Sequence, residues 1–101
     1  MAKRVFLDTK DLLFRSKLAG TVAARGGEVT RDEAACDIAV VEVERPEVAG
    51  RIRALVERGV GVLAYGSHVR ADLLRAAREA GATAVPNSKV EERLGELLQT
   101  M

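Results

Sequence analysis

The chain has 101 residues, 48% apolar and 31% charged, which fits one soluble globular domain and excludes a disordered chain. The net charge of +1 and the scarcity of aromatic residues (two Phe, one Tyr, no Trp) offer neither a basic surface nor a stacking platform, so no nucleic-acid partner is expected. No apolar run could span a bilayer, so we expect no membrane partner. The lone Cys36 cannot form an internal disulfide, which favours a reducing, cytoplasmic setting and a small buried hydrophobe at this position.

Short apolar runs alternate along the chain with amphipathic stretches, a pattern typical of a parallel sheet covered by helices. Strands are predicted over residues 4–7, 28–30, 38–41, 60–65 and 83–86. Helices are predicted over residues 10–25, from Pro46 to Gly59, over 68–80 and over 89–98, with a short helix or helical turn over 31–36. The alternation predicts an α/β fold: a flavodoxin-like, doubly wound sheet of five parallel strands in the order 2-1-3-4-5, with helices on both faces and residues 1–101 in one domain.

Polar residues are expected where helices begin. The expected positions are Asp11 in the first helical turn, Thr30 with Glu33 before the short helical turn, Ser67 as an N-cap, and Ser88 with Glu91 as a capping box. Pro86 cannot donate a hydrogen bond to a sheet, which predicts that the last strand lies at an edge.

The carboxyl ends of the strands are the expected position of a ligand crevice. Asp8 and Glu42 follow the first and third strands, so we expect both to face the same crevice. The chain has no Walker loop, no GxGxxG segment, no metal-ligand cluster and no Cys-x-x-Cys pair. We therefore expect neither a cofactor nor enzymatic activity.

Four segments, taken in order, resemble the response-regulator receiver family. Residues 4–8 (RVFLD) resemble the family's strand that ends in acidic residues, and residues 36–42 (CDIAVVE) resemble the strand that ends at the phosphate-accepting aspartate. Residues 45–47 (RPE) resemble the proline-bearing loop that follows, and residues 76–82 (AAREAGA) resemble the stretch before the last strand. The resemblance covers nearly the whole chain and implies a receiver-like fold with a role in signal transduction.

The resemblance also implies a phosphorylation pocket, which this chain keeps only in part. An acidic pair that holds Mg²⁺ is implied after the first strand, but Asp8 is followed by Thr9. Glu42 stands where the acceptor aspartate is implied, and its extra methylene moves the carboxylate out of register with a metal. Asp8 is interpreted either as a residual metal ligand or as a helix cap or salt-bridge partner. Glu42 is either a fixed mimic of the phosphorylated state that reaches toward Ser67 or Lys89, or a solvated residue.

Two further positions of that pocket depend on the alignment of the loops. The implied Ser or Thr after the fourth strand falls on Gly66, with Ser67 beside it, and the implied lysine after the fifth strand falls on Ser88, with Lys89 beside it. Ser67 could also bind an anion at a helix start, the alternative being a plain N-cap. The lone His68 is a general base or, in the simpler interpretation, a surface residue. Asp8, Thr9, Glu42, Ser67, Ser88 and Lys89 are thus the expected vestigial pocket.

These departures predict a phosphorylation-incompetent pseudo-receiver that regulates a partner protein, or a second copy of itself, by docking. Leu12, Leu13 and Phe14 are consecutive and cannot all be buried by one helix face, so either an exposed apolar patch or packing under a loop is expected. The resemblance implies a second docking face at Arg70, Arg75 and Arg78. The alternative function is a small ligand- or phosphate-binding protein or enzyme that uses the crevice.

Overall fold

The computed structural model of the protein describes residues 2–100. The strands are β1 Arg4–Asp8, β2 Glu28–Thr30, β3 Ile38–Glu42, β4 Gly61–Gly66 and β5 Thr83–Pro86. The helices are α1 Leu12–Ala24, α2 Val48–Glu57, α3 Ala71–Glu79 and α4 Val90–Thr100. None of the helices in this part of the chain is long and apolar enough to cross a membrane.

The strands form one parallel sheet in the order β2-β1-β3-β4-β5, which confirms the predicted topology. β3 lies at the centre, and its Ile38, Ala39, Val40 and Val41 are fully buried, as expected for a β-branched run covered on both faces. Pro86 ends the edge strand β5, where a missing N–H costs no ladder hydrogen bond.

Two apolar layers hold the helices on the sheet. On one side, the α1/α4 face, Leu18 and Val22 of α1 pack with Leu94 and Leu98 of α4 against alternate residues of the strands, among them Tyr65. On the other side, the α2/α3 face, residues of α2 and α3 pack against the intervening strand residues, and these include Ile52, Leu55, Leu74, Ala77, Val41 and Ala64. Because side chains alternate along a strand, neighbouring residues at a strand end belong to different faces.

The connection from β2 to β3 holds only a 3-10 turn, Glu33–Ala35, instead of a full helix. The turn is capped by Asp32, whose Oδ1 accepts a hydrogen bond from the Ala34 N–H at 3.0 Å, so the prediction that Thr30 caps it was wrong. Thr30 Oγ1 instead accepts from the Asp32 N–H at 3.1 Å. Cys36 is 8% exposed, which confirms it as a small buried residue.

All four helices begin later than predicted. The side chain of Asp11 caps α1 and accepts from the N–H groups of Leu13 and Phe14, which places Asp11 before the first turn and not in it. α2 begins at Val48 because Glu47 has a φ of 55°, in the left-handed region, which separates Pro46 from the helix.

α3 and α4 are also shorter at their starts. Ser67 Oγ accepts from the Val69 N–H at 3.4 Å within a turn, and α3 begins only at Ala71. Ser88 lies inside the 3-10 turn Asn87–Lys89, and its hydroxyl makes no hydrogen bond with any residue in the range 2–100. The predicted N-cap at Ser67 and the predicted capping box at Ser88 were therefore wrong.

Candidate functional site

The carboxyl ends of β1 and β3 carry the predicted pocket, and the structure divides its residues between the two faces of the sheet. Asp8 is in register with Val41, which belongs to the α2/α3 layer, whereas Glu42 is in register with Tyr65, which belongs to the α1/α4 layer. The prediction that Asp8 and Glu42 face one crevice was therefore wrong. The two carboxylates have separate sets of partners.

Asp8 is the centre of an ion cluster that also contains Arg45, Arg51 and Glu33. Asp8 is 9% exposed, with Oδ1 3.2 Å from Arg45 Nε and Oδ2 hydrogen-bonded to Arg51 Nη1. Arg51 Nη2 donates a second hydrogen bond to Glu33 Oε1 at 2.8 Å. Hydrogen bonds to Glu33 and Asp8 raise the pKa of the Arg51 guanidinium. Asp8 is thus a salt-bridge partner, as one of its alternatives stated, and the helix cap is Asp11.

The Arg45 side of this cluster is a charge contact and not an aligned hydrogen bond. Arg45 Nε is buried and makes no hydrogen bond with any of residues 2–100, although it lies 3.2 Å from the Asp8 carboxylate. Arg51, by contrast, binds two carboxylates, Asp8 through Nη1 and Glu33 through Nη2. Arg51 therefore holds the cluster together, and Arg45 adds positive charge beside it.

A hydrogen-bond network of Thr9, Glu42 and Tyr65 occupies the other face. The Tyr65 hydroxyl donates to Thr9 Oγ1, and the Thr9 hydroxyl donates to Glu42 Oε1 at 3.2 Å. Glu42 Oε1 accepts a further hydrogen bond from the Lys10 backbone N–H at 2.9 Å. Glu42 is half-buried, so it is neither a freely solvated residue nor, in this structure, a carboxylate that reaches Ser67 or Lys89.

Tyr65 anchors this network in the core. It is 2% exposed, and its ring stacks on that of Phe14 at a centroid distance of 4.9 Å. Burial raises the pKa of the Tyr65 phenol to about 12, with a further contribution from the negative charge of Glu42. The phenol therefore remains a neutral donor to Thr9 near neutral pH.

The remaining predicted pocket residues lie apart from both groups. Ser67 is half-buried in its turn, and Ser88 and Lys89 are exposed, as is His68, which was not among the predicted pocket residues. Within residues 2–100, no hydrogen bond or ion pair connects any of them to Asp8 or Glu42. His68 is thus a surface residue, as its simpler interpretation stated.

Gly66 has a structural role beside the pocket. A Cβ at Gly66 would lie 2.4 Å from Val43 Cγ2, so the end of β4 approaches the β3–α2 connection more closely than any larger residue allows. Packing against Val43 therefore requires glycine at this position, where the receiver resemblance implied a Ser or Thr.

The two predicted docking surfaces differ in character. Leu12 and Leu13 are 78% and 80% exposed, so they form an apolar patch and do not pack under a loop. Arg70 and Arg75 are exposed on the α3 side, whereas Arg78 Nη2 donates to the Ala84 carbonyl at 2.9 Å and secures α3 to β5. The apolar patch at the start of α1 is the more distinctive of the two.

The residues that contact the predicted site and that the sequence did not place there are Arg45, Arg51, Glu33 and Tyr65. The chain has 12 arginines, and nothing in their spacing singles out the two that meet Asp8. The contact between Arg51 and Asp8 spans 43 positions of the sequence. Of these four residues, Tyr65 alone had a position in the sequence that indicated its place: it ends a predicted strand, next to Gly66, and therefore lies near the carboxyl edge of the sheet.

Comparison with known proteins gives a fold but no sequence family. No protein-family model matches the chain, and no curated protein matches it either. Among solved structures, the receiver domain of the TMAO respiratory system response regulator TorR is similar, with a TM-score of 0.76, 18% identity, and 97% of this chain and 98% of that chain covered. The fold is that of a response-regulator receiver domain.

Two further structures have the same receiver fold. A response regulator from Thermotoga maritima matches with a TM-score of 0.76 at 18% identity, over 98% of this chain and 99% of that one. The chemotaxis response regulator CheY4 of Vibrio cholerae matches with a TM-score of 0.71 at 16% identity, over 99% of this chain and 98% of that one. The resemblance found in the sequence is therefore confirmed at the level of the fold.

The Mg²⁺ ion that a receiver fold implies does not fit the residues at this carboxyl edge. Mg²⁺ needs several oxygen ligands in octahedral geometry. Here Asp8 is neutralised by two guanidinium groups, and Thr9 supplies a hydroxyl that is already hydrogen-bonded to Tyr65 and Glu42. Within the described part of the chain, no group of three or more His, Cys, Asp or Glu side chains could hold a metal.

Proposed function

We propose that this receiver-fold protein is a pseudo-receiver: a regulatory module that docks a partner protein or a second copy of itself, without phosphoryl transfer and without enzymatic activity. The observation that carries the proposal is the state of its two carboxylates. Asp8 is bound by Arg45 and Arg51, and Glu42 is bound by Thr9 and the Lys10 N–H.

Phosphoryl transfer to a carboxylate requires a free oxygen that attacks in line and a cation that neutralises the developing charge. Both hydrogen bonds to the Glu42 carboxylate go to Oε1 and hold the side chain beside Thr9 and Lys10, and the hydroxyl of Thr9 stands where an acid would hold the cation. Arg45 and Arg51 place positive charge on the opposite face, beside Asp8. This arrangement supports a pocket that is stable without a phosphate.

The docking surface that we propose is the exposed start of α1. Leu12 and Leu13 are 78% and 80% exposed, and the Asp11 side chain caps the helix turn that carries them. Burial of apolar surface stabilises a complex by about 25 cal/mol per Å². Two leucines presented on a fixed helix turn are therefore suited to bind an apolar surface of a partner.

Intact mass spectrometry after incubation with acetyl phosphate and Mg²⁺ tests the absence of phosphoryl transfer. We expect no phosphate adduct, while a phosphorylatable receiver domain treated in parallel gains one. The double variant Thr9→Asp/Glu42→Asp restores the two acids that the receiver resemblance implies. A phosphate adduct on this variant would show that the absence of those acids is enough to prevent phosphorylation of the unmodified protein. An adduct that peptide mapping places on Glu42 or Asp8 of the unmodified protein would refute the proposal.

Light scattering across a range of protein concentrations tests the docking surface. If the partner is a second copy, the molar mass rises with concentration for the unmodified protein and stays at the monomer value for Leu13→Glu. Lys17→Glu, an exposed substitution on the same helix, is the matched control and should behave as the unmodified protein. A monomer at every concentration would exclude the second copy and leave a different protein as the partner.

A further inference from the structure

A cavity of about 440 Å³ that is open to solvent lies between the β3–α2 connection and α3, on the α2/α3 face. Its floor is apolar and is formed by Val43, Val48, Ala49, Leu73 and Ala76. The volume lies within the range of roughly 300–1,000 Å³ that small-molecule sites have, and such sites combine apolar walls with a few polar groups.

Four charged side chains line the same cavity: Glu44, Arg45, Glu47 and Arg70. The carboxylates of Glu44 and Glu47 have no hydrogen bond or ion pair with any residue in the described range 2–100. Arg45 Nε lies 3.2 Å from Asp8 Oδ1 and Arg70 Nε lies 3.6 Å from Asp72 Oδ1, and no Nη group of either arginine donates a hydrogen bond to a residue in the range 2–100. Their terminal Nη groups therefore remain available as donors, and the two carboxylates remain available as acceptors.

We propose that this cavity binds a small zwitterion with an apolar side chain, of the class of the apolar α-amino acids. A guanidinium group binds a carboxylate through paired N–H donors, and a carboxylate binds an ammonium group. Two arginines and two glutamates give the lining no net charge, which matches a ligand that carries one charge of each sign. The apolar floor accommodates the side chain.

Arg45 connects this cavity to the Asp8 ion cluster, because it lines the first and contacts the second. A carboxylate bound at the Arg45 Nη groups would share the guanidinium with Asp8, which lies beside Nε. Within residues 2–100, the side chains of Arg70 and Glu47 form no ion pair or hydrogen bond with that cluster, so side-chain variants at these two positions test the site without removing a partner of Asp8. Binding of a ligand in this cavity depends neither on phosphoryl transfer nor on a protein partner. The test of this site can therefore fail or succeed independently of the tests of the proposed function.

Titration of the ¹⁵N-labelled protein with L-leucine, followed by amide chemical shifts, tests the site. We expect shifts confined to residues 43–49 and 70–76. Isocaproate lacks the ammonium group of leucine, isoamylamine lacks its carboxylate, and glycine lacks its side chain. Each of the three should bind at least about tenfold more weakly, because each leaves a charged or apolar part of the site unmatched.

Substitutions separate a built site from adventitious contacts. Arg70→Gln and Glu47→Gln should each weaken leucine binding about tenfold. Arg75→Gln, on the same helix and outside the cavity lining, should leave it unchanged. Ala76→Leu should fill the floor and abolish binding. Absence of localised shifts with millimolar leucine, equal binding of isocaproate, or an equal effect of Arg75→Gln would each overturn the proposal.

Discussion

Asp8 and Glu42 end neighbouring strands of the sheet, yet their carboxylates lie on opposite faces of it. Asp8, at the end of β1, is bound by Arg51 of α2. Glu42, at the end of β3, is bound by Thr9 and the Lys10 N–H in the connection between β1 and α1. The two negative charges therefore do not share a cation. This separation distinguishes the carboxyl edge from a site that would need both acids around one metal ion.

Removal of the Asp8 charge should destabilise the fold. Asp8→Asn leaves Arg45 and Arg51 without their shared partner. Since both arginine side chains are about a third exposed, the expected loss is about 2 kcal/mol, below the range for a fully buried pair. Urea unfolding followed by circular dichroism measures it. The matched control is Asp72→Asn, which removes an exposed ion pair with Arg70 and should change the unfolding midpoint very little. Equal shifts for the two variants would contradict a structural role for the Asp8 cluster.

The Thr9 hydroxyl should be energetically coupled to Tyr65. Thr9→Val keeps the shape of the side chain but leaves the buried Tyr65 hydroxyl without its acceptor, at a cost of about 1–3 kcal/mol. In a double-mutant cycle with Tyr65→Phe, we expect a coupling energy of about 1 kcal/mol or more from urea unfolding. Thr83→Val, at an exposed strand position, is the control and should be nearly neutral. Additive effects at Thr9 and Tyr65 would show that the hydrogen bond contributes nothing.

The stability of the protein should fall in strong alkali because of Tyr65. Its pKa is raised from 10.0 in the unfolded chain to about 12 in the fold, so the folded state holds the proton more tightly. The associated stability, up to about 3 kcal/mol, is fully present below pH 10 and is lost as the pH rises toward 12. Because the chain has one Tyr and no Trp, ultraviolet absorbance follows this phenol alone. Ionisation near pH 10 in the folded protein, or the same alkaline loss in Tyr65→Phe, would contradict the assignment.

Gly66 should tolerate no side chain. A Cβ there meets Val43 Cγ2 at 2.4 Å, and a β-branched valine cannot turn away freely, so Gly66→Ala should cost about 1–3 kcal/mol. Thermal unfolding measures the cost. Val43→Ala added to Gly66→Ala should recover part of it, because the contact is then relieved. Gly20→Ala is the control: the added methyl group meets nothing within 4 Å on α1, and it should stabilise the helix by about 1 kcal/mol.

The fold was predictable from local patterns because each strand is a short apolar run bounded by turn residues. The β-branched run Ile38–Val41 identified the central strand, and Pro86 identified an edge. Helix starts were less predictable. Glu47 adopts a left-handed backbone conformation that its residue type does not favour, and Ser67 uses its hydroxyl in a turn, so neither start could be read from capping preferences alone.

The candidate site was predicted in its composition but not in its contacts. Asp8, Thr9 and Glu42 were expected at the carboxyl edge, and they lie there. Their partners come from distant parts of the chain: Arg51 lies 43 positions from Asp8, and Tyr65 lies 56 positions from Thr9. The residues that neighbour Arg51 and Tyr65 in the sequence do not indicate that either side chain makes such a contact.

The sequence by itself determined the order of strands and helices, the parallel sheet and the identity of the acids at its carboxyl edge, because hydrophobic periodicity and strand length are local properties. Tertiary structure alone decided which arginines bind Asp8, that Glu42 is held by Thr9 on the opposite face, and that Leu12 and Leu13 remain exposed. The physical reason is the alternation of side chains along a strand. A shift of one residue in register moves a carboxylate to the other face, and register is set by packing across the whole sheet.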